Sequence, residues 1–202
     1  MANPIAPRGF VPVRYLNGAA WNGAVNMYYV PAADTSMYSP GDAVKSAAGA
    51  DANGVPQVAK AAGTDTVRGV VVGVLAANPS APSLVGTSLD LTVQNVPATK
   101  TKDYYLLVVD DPHVIFEIQD DGLNALTAAA ANKNASFTVA NPTAPAQNSA
   151  SVINSGSVAT TQGLNVKLMG LKRQPNNAFG VNATWTVMFN QHELGGSNTA
   201  GV

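Results

Sequence analysis

Two histidines and a run of carboxylates have the greatest chemical reach in this 202-residue chain. Asp110, Asp111, Glu117, Asp120 and Asp121 fall close together, a grouping that invites a calcium site or a glycosidase acid pair. Chain extension argues against both. If Val114 to Gln119 is a strand rising about 3.3 Å per residue, Asp111 and Asp120 stand about 30 Å apart at its two ends. Asp110-Asp111-Pro112 and Asp120-Asp121-Gly122 also read as turns, where aspartate side chains accept from nearby backbone amides. His192-Glu193 is followed by Gly196 where a zinc protease would carry its second histidine. His113 and His192 therefore read as strand-surface or hydrogen-bonded imidazoles. No Gly-x-x-x-x-Gly-Lys-Ser/Thr is present, and Gly69 to Gly73 lacks the third glycine of a dinucleotide loop. No serine sits in Gly-x-Ser-x-Gly, and there is no cysteine. No catalytic residue, cofactor site or metal site is expected.

Charge narrows the partners further. Charged residues make up 11% of the chain and the net charge is -1, against about 25% charged residues in an average domain. No field of this size steers nucleic acid or an anionic membrane. Arg8 and Arg14 flank Phe10, and Lys100 and Lys102 precede Tyr104, which falls short of a continuous basic groove. The most apolar run, Val67 to Ala77, includes Arg68 and has about half of the ~20 residues a spanning helix needs. The opening residues have no cationic start followed by an apolar stretch, so a secretory signal is not expected.

Short apolar runs separated by turn residues predict an all-β fold, mainly antiparallel and sandwich or barrel-like, with at most one short helix. Asp42 to Ala47 and Val55 to Ala61 flank Ala52-Asn53-Gly54, a strong hairpin signal. Val67 to Leu75 reads as a strand in which Gly69 and Gly73 mark bends or close approach. Leu89 to Val93 alternates, as do Leu164 to Met169 and Thr184 to Phe189. Tyr104 to Val109 and His113 to Gln119 are expected to pair across Asp110-Asp111-Pro112, with Val108 opposite Val114, Leu106 opposite Phe116 and Tyr104 opposite Ile118. Both faces of that unit are largely apolar, which asks for a second sheet over it. Leu123 to Asn132 is the one helical candidate. Between Gly122 and Asn165 the only charged residue is Lys133; the stretch reads as a loop, or as short strands such as Ser136 to Val139 in contact with a partner.

The organisation expected is an extended N-terminal arm over 1–31, a β-rich domain over 32–194 and a flexible tail over 195–202. Pro4, Pro7, Pro12 and Pro31 deny helix hydrogen bonds to the first segment. Phe10, Tyr15, Trp21, Tyr28 and Tyr29 are spaced along it. Such a segment either lies over a neighbouring chain or forms an edge strand of its own domain. On the first alternative, Phe10, Arg14, Tyr15 and Trp21 are the interface residues.

Several segments resemble the head decoration, or cement, proteins of tailed bacteriophages, encoded near the major capsid protein. They are Arg8-Gly9-Phe10, Pro12 to Gly18, Gly41 to Val44, Asp51 to Gly54, Asp110-Asp111-Pro112, Phe116 to Gln119, Leu168 to Leu171 and the Trp185 strand. None is a catalytic motif. The resemblance implies a protein without enzymatic activity that binds the outside of the expanded head. Its partners would be the major capsid protein and sister subunits in a homodimer or homotrimer, and its place the virion exterior. The alternatives are another virion part, such as a head-completion or tail protein, or a carbohydrate-binding or hydrolytic β-domain using Trp21, Trp185 and Glu117.

Overall fold

The computed structural model describes residues 3–75, 94–144 and 146–195. The fold is all-β and mainly antiparallel. Its strands are β1 (Val11–Tyr15), β2 (Asn26–Val30), β3 (Ala43–Ala50), β4 (Pro56–Lys60), β5 (Gly69–Leu75) and β6 (Tyr104–Val109). They continue with β7 (Val114–Gln119), β8 (Asn134–Ala135), β9 (Phe137–Thr138), β10 (Val152–Ile153), β11 (Val166–Leu171) and β12 (Thr184–Phe189). Strands β2-β4-β3-β5-β6 close into a barrel, β1-β7-β12-β11-β8 form a five-stranded sheet, and β9 and β10 pair by themselves. Among the described residues no helix is long and apolar enough to cross a membrane. The expected strand at Leu89 to Val93 lies outside the described residues, as does nearly all of the tail beyond Gly195.

The barrel explains why its strands are apolar on both faces. Side chains alternate across a strand, so Val44, Val71, Leu106 and Val108 point into the barrel with Tyr28, Val30, Tyr38 and Val58. Their neighbours Ala43, Val70 and Val109 point outward and join the second core. That core is completed from the five-stranded sheet by Phe116, Ile118, Trp185, Val187 and Phe189. One layer of backbone thus serves two cores.

The Asn-Gly hairpin forms as read, with Val44 opposite Lys60 and Ser46 opposite Val58. The pairing of Tyr104 to Val109 with His113 to Gln119 does not. Both strands exist, but β6 lies between β2 and β5, with Leu106 opposite Tyr28 and Val74. Strand β7 instead lies between β1 and β12, with Phe116 opposite Pro12 and Val187. Pairing β6 with β7 would occupy an edge of β6 that closes the barrel. The Asp110-Asp111-Pro112 turn is therefore the crossing from barrel to sheet.

The helical candidate is also corrected. Leu123 to Asn132 holds a single 3-10 turn, Ala128–Ala130, whose Ala129 amide is capped by the Thr127 hydroxyl. Leu126 exchanges both backbone hydrogen bonds with Gly180 (3.2 and 2.8 Å), so its amide and carbonyl are unavailable to an α-helix. Pairing with a distant segment overrides helix propensity here. Ser136 to Val139 contributes β9, in which Phe137 is buried and Thr138 pairs with Val152.

Where the sheet meets the barrel, two backbones touch. Gly9 has φ +65° and Gly41 has φ +95°. A Cβ on Gly9 would lie 2.3 Å from the Gly41 carbonyl oxygen, and one on Gly41 2.3 Å from that of Arg8. The Phe10 amide donates to the Gly41 carbonyl at 2.9 Å. Only glycine fits both the dihedral angle and the gap. Gly41→Ala is expected to lower unfolding stability by about 2–4 kcal/mol, read as a reduced denaturant midpoint with an unchanged slope.

Candidate interaction surface

Segment 1–31 builds part of both layers. Strand β1 forms one edge of the sheet, and β2 pairs with β6 along its whole length. Of the four residues expected at an interface, Phe10 is placed elsewhere. It is 1% exposed, with its ring 4.9 Å from Phe189, 5.2 Å from Phe137 and 6.2 Å from Phe116. Edge-to-face packing of this kind adds to simple area burial. Phe10 is a core residue, and the sequence signal that suggested otherwise was its position among prolines.

The other three come together at a turn on the β1 edge. The Tyr15 amide donates to the Ala19 carbonyl (2.8 Å), Gly18 donates to Tyr15 (2.9 Å) and Trp21 to Val13 (3.2 Å). Arg14 therefore stands beside Ala20. The Tyr15 hydroxyl donates to Asn22 Oδ1 at 2.9 Å, and Trp21 Nε1 donates to the Ala24 carbonyl at 3.4 Å. Tyr15 and Trp21 are half-buried against the core, while Arg14 and Leu16 are exposed. The result is an aromatic and aliphatic rim on a hydrogen-bonded turn.

A second exposed apolar group escaped sequence reading. Asn3 Nδ2 donates to the carbonyls of Ala178 and Val181, and its Oδ1 accepts from the Ala178 amide, all at 2.9 Å. This clamp ties the start of the chain to the segment that carries Phe179 and Val181; Ile5, Phe179 and Val181 are 78%, 50% and 42% exposed. Neither segment has a pattern that reveals the other, because they are separated by most of the chain.

Several of the few charges are paired within the molecule. Lys172 pairs with Glu117 at 2.5 Å, Lys45 with Asp65 at 2.8 Å and Lys100 with Asp34 at 3.1 Å. Hydrogen bonding to Lys45 holds the Asp65 carboxyl below its ordinary range. The acidic run serves turns and crossings. Asp120 accepts from the amides of Gly122, Asn182 and Ala183, and Asp121 accepts from the Ser155 hydroxyl. Asp111 accepts from the His113 amide at 2.8 Å. Trp185 is fully buried and offers no stacking face to a sugar.

A polar group lies at the barrel-sheet crossing. Asp110 accepts from the Tyr28 hydroxyl (2.6 Å) and from Asn26 Nδ2 (2.8 Å), and Arg68 Nε donates to the Tyr28 oxygen (2.8 Å). Burial, reinforced by the Asp110 hydrogen bond, pushes the Tyr28 phenol up to about 12. Arg68 also lies 3.8 Å from Glu193, which accepts from the Ser46 amide and hydroxyl. Beside it, His192 is buried, bridges Val67 and accepts the Leu194 amide at Nδ1 (3.1 Å). These contacts lock the chain end of β12 onto β3 and β5.

Compared with protein-family models, with curated proteins and with solved structures, the chain matches none.

Phe10→Ala is expected to cost about 3–5 kcal/mol of stability, whereas Arg14→Ala changes it by less than about 0.5 kcal/mol; chemical denaturation distinguishes the two. A second expectation concerns acid. Burial lowers the His192 pKa from 6.5, aided by Arg68 and opposed by Asp110, Glu193 and Asp111. The unfolded chain therefore takes up a proton that the folded chain refuses, and this contribution to stability is lost as pH falls below 6.5. The melting temperature of His192→Gln should fall less steeply over that range than that of the parent chain.

Proposed function

We propose that the chain is a bacteriophage head decoration protein, without enzymatic activity, that binds the exterior of the expanded capsid. Its partners are the major capsid protein and sister copies in a homodimer or homotrimer. The observation that carries this reading is the rim at 14–21. Leu16 is exposed on this turn and Tyr15 and Trp21 are half-exposed beside it, so one side of the group can be reached by a partner. Aromatic anchors with a neighbouring arginine are the residue types that dominate protein interfaces. Internal pairing of charge supports the same view, because adhesion then rests on apolar and neutral hydrogen-bonded contact. The resemblance of Pro12 to Gly18 to decoration proteins covers this same rim. A stabiliser of the expanded shell must bind that shell better than its precursor, since only differential affinity shifts an equilibrium. Symmetric copies then add avidity.

Because strands β1 and β2 belong to the chain's own layers, deleting residues 1–31 would remove part of both. Point substitutions are the informative variants. Purified protein added to expanded capsids lacking it should bind saturably, in hundreds of copies per particle, and raise the temperature at which they rupture. The double substitution Tyr15→Ser with Trp21→Ser should weaken binding at least about tenfold, equivalent to about 1.4 kcal/mol, with the fold retained by circular dichroism. Absence of saturable binding sinks the proposal, and a dozen or fewer copies in the virion would move the chain to the neck or tail.

A further inference from the structure

Lys60 brings a primary amine, a carboxamide and a buried carboxylate into one hydrogen-bonded set. It is the last residue of β4, and its side chain is 12% exposed. Its Nζ donates to Asn141 Oδ1 at 2.7 Å and to the Met37 carbonyl at 3.0 Å, and lies 2.9 Å from Asp42 Oδ2. Asp42 has no exposed surface. Its Oδ2 also accepts from the Ser39 amide at 2.9 Å, while its Oδ1 has no hydrogen-bond partner. A carboxylate oxygen buried without a donor is unfavourable. Asn141 is followed by Pro142, whose nitrogen carries no hydrogen. Cyclisation of Asn141 onto the following amide is therefore closed, and Lys60 Nζ is the nucleophile that faces its side chain.

We propose that Lys60 and Asn141 become joined by an intramolecular isopeptide bond, with Asp42 as the acid-base group. The carbonyl carbon of Asn141 is one C=O bond, about 1.23 Å, beyond the oxygen that Lys60 already touches, so a small rotation brings amine and carbon to attack distance. Lys60 first passes a proton to Asp42. The freed lone pair forms the Nζ–Cγ bond, and the carbonyl electrons move onto Oδ1. Asp42 gives its proton to Nδ2 and takes one from Nζ. The Oδ1 electrons re-form the carbonyl as the Cγ–Nδ2 bond breaks, and the departing ammonia removes the proton from Asp42 as ammonium. The charge of lysine leaves with it, and no oxidant or cofactor is consumed. Activation of a lysine amine by a neighbouring base is ordinary nucleophilic chemistry. Afterwards Asp42 can accept from the new amide N–H. The bond would tie barrel strand β4 to the segment after β9. That segment already touches the barrel approach through the Ser149 amide, which donates to the Pro40 carbonyl at 2.8 Å.

The test is the intact mass of the full folded chain, followed by proteolysis and fragment sequencing. The expected result is a mass lower than the sequence mass by one ammonia, with a branched peptide joining Lys60 to Asn141. Lys60→Arg, Asp42→Asn and Asn141→Ala should each restore the full mass. Asn141 is exposed, so Asn141→Ala retains the fold and serves as control if Asp42→Asn does not. A folded parent chain that keeps its full mass after prolonged incubation overturns the proposal. So does an ammonia loss that maps to a succinimide at Asn53-Gly54. Neither outcome bears on capsid binding.

Discussion

The structure depends on one layer of barrel backbone being buried on both faces. Strands β3, β5 and β6 enclose the valines, leucines and tyrosines of the barrel on one side and cover the aromatic core of the sheet on the other. Burial of apolar surface is the main favourable term in folding, and here neither core is complete without the shared strands. The two units therefore cannot part without exposing Val70, Val109 and Phe116 to water. The Gly9-Gly41 contact holds that juxtaposition at backbone distance.

Polar groups mark the places where the chain passes between layers. Asp110 is fixed by Tyr28 and Asn26 at the first crossing, and Glu193 by Ser46 at the return. Arg68 lies between them. A buried polar group needs its partners, so each crossing is specified by hydrogen bonds in addition to apolar packing. Using charge in this way leaves the exterior short of it. The surface carries scattered charges such as Arg14 and Arg173 among neutral side chains, with Leu16, Tyr15 and Trp21 on one turn and Ile5 and Phe179 exposed elsewhere.

An exterior with so few charges exerts little attraction at a distance. Contacts between neutral side chains form only at close range and reward shape. Each carboxylate of the 110–121 run is bound to an amide, a hydroxyl or a cation close by. Among the described residues no three His, Asp or Glu side chains gather as ligands.

Local pattern made much of this legible. The all-β class, the Asn-Gly hairpin, and the extents of β6, β7 and β12 follow from side-chain alternation and turn chemistry, which act over a few residues. The aromatic rim at 14–21 was visible as residue types. Partner choice was not. Strands β6 and β7 are adjacent in sequence and apolar on both faces, which fits a hairpin and a split between layers equally well; closure of the barrel decides. Phe10 reads as an anchor on an arm until three distant phenylalanines surround it, and Leu123 to Asn132 reads as helix until Gly180 pairs with Leu126. Sequence by itself determined the all-β class, most of the longer strands and the absence of strong charge, because those depend on composition and on neighbours along the chain. Tertiary structure alone decided which strand meets which, and which aromatic is buried, because burial and hydrogen-bond closure are properties of residues far apart in sequence.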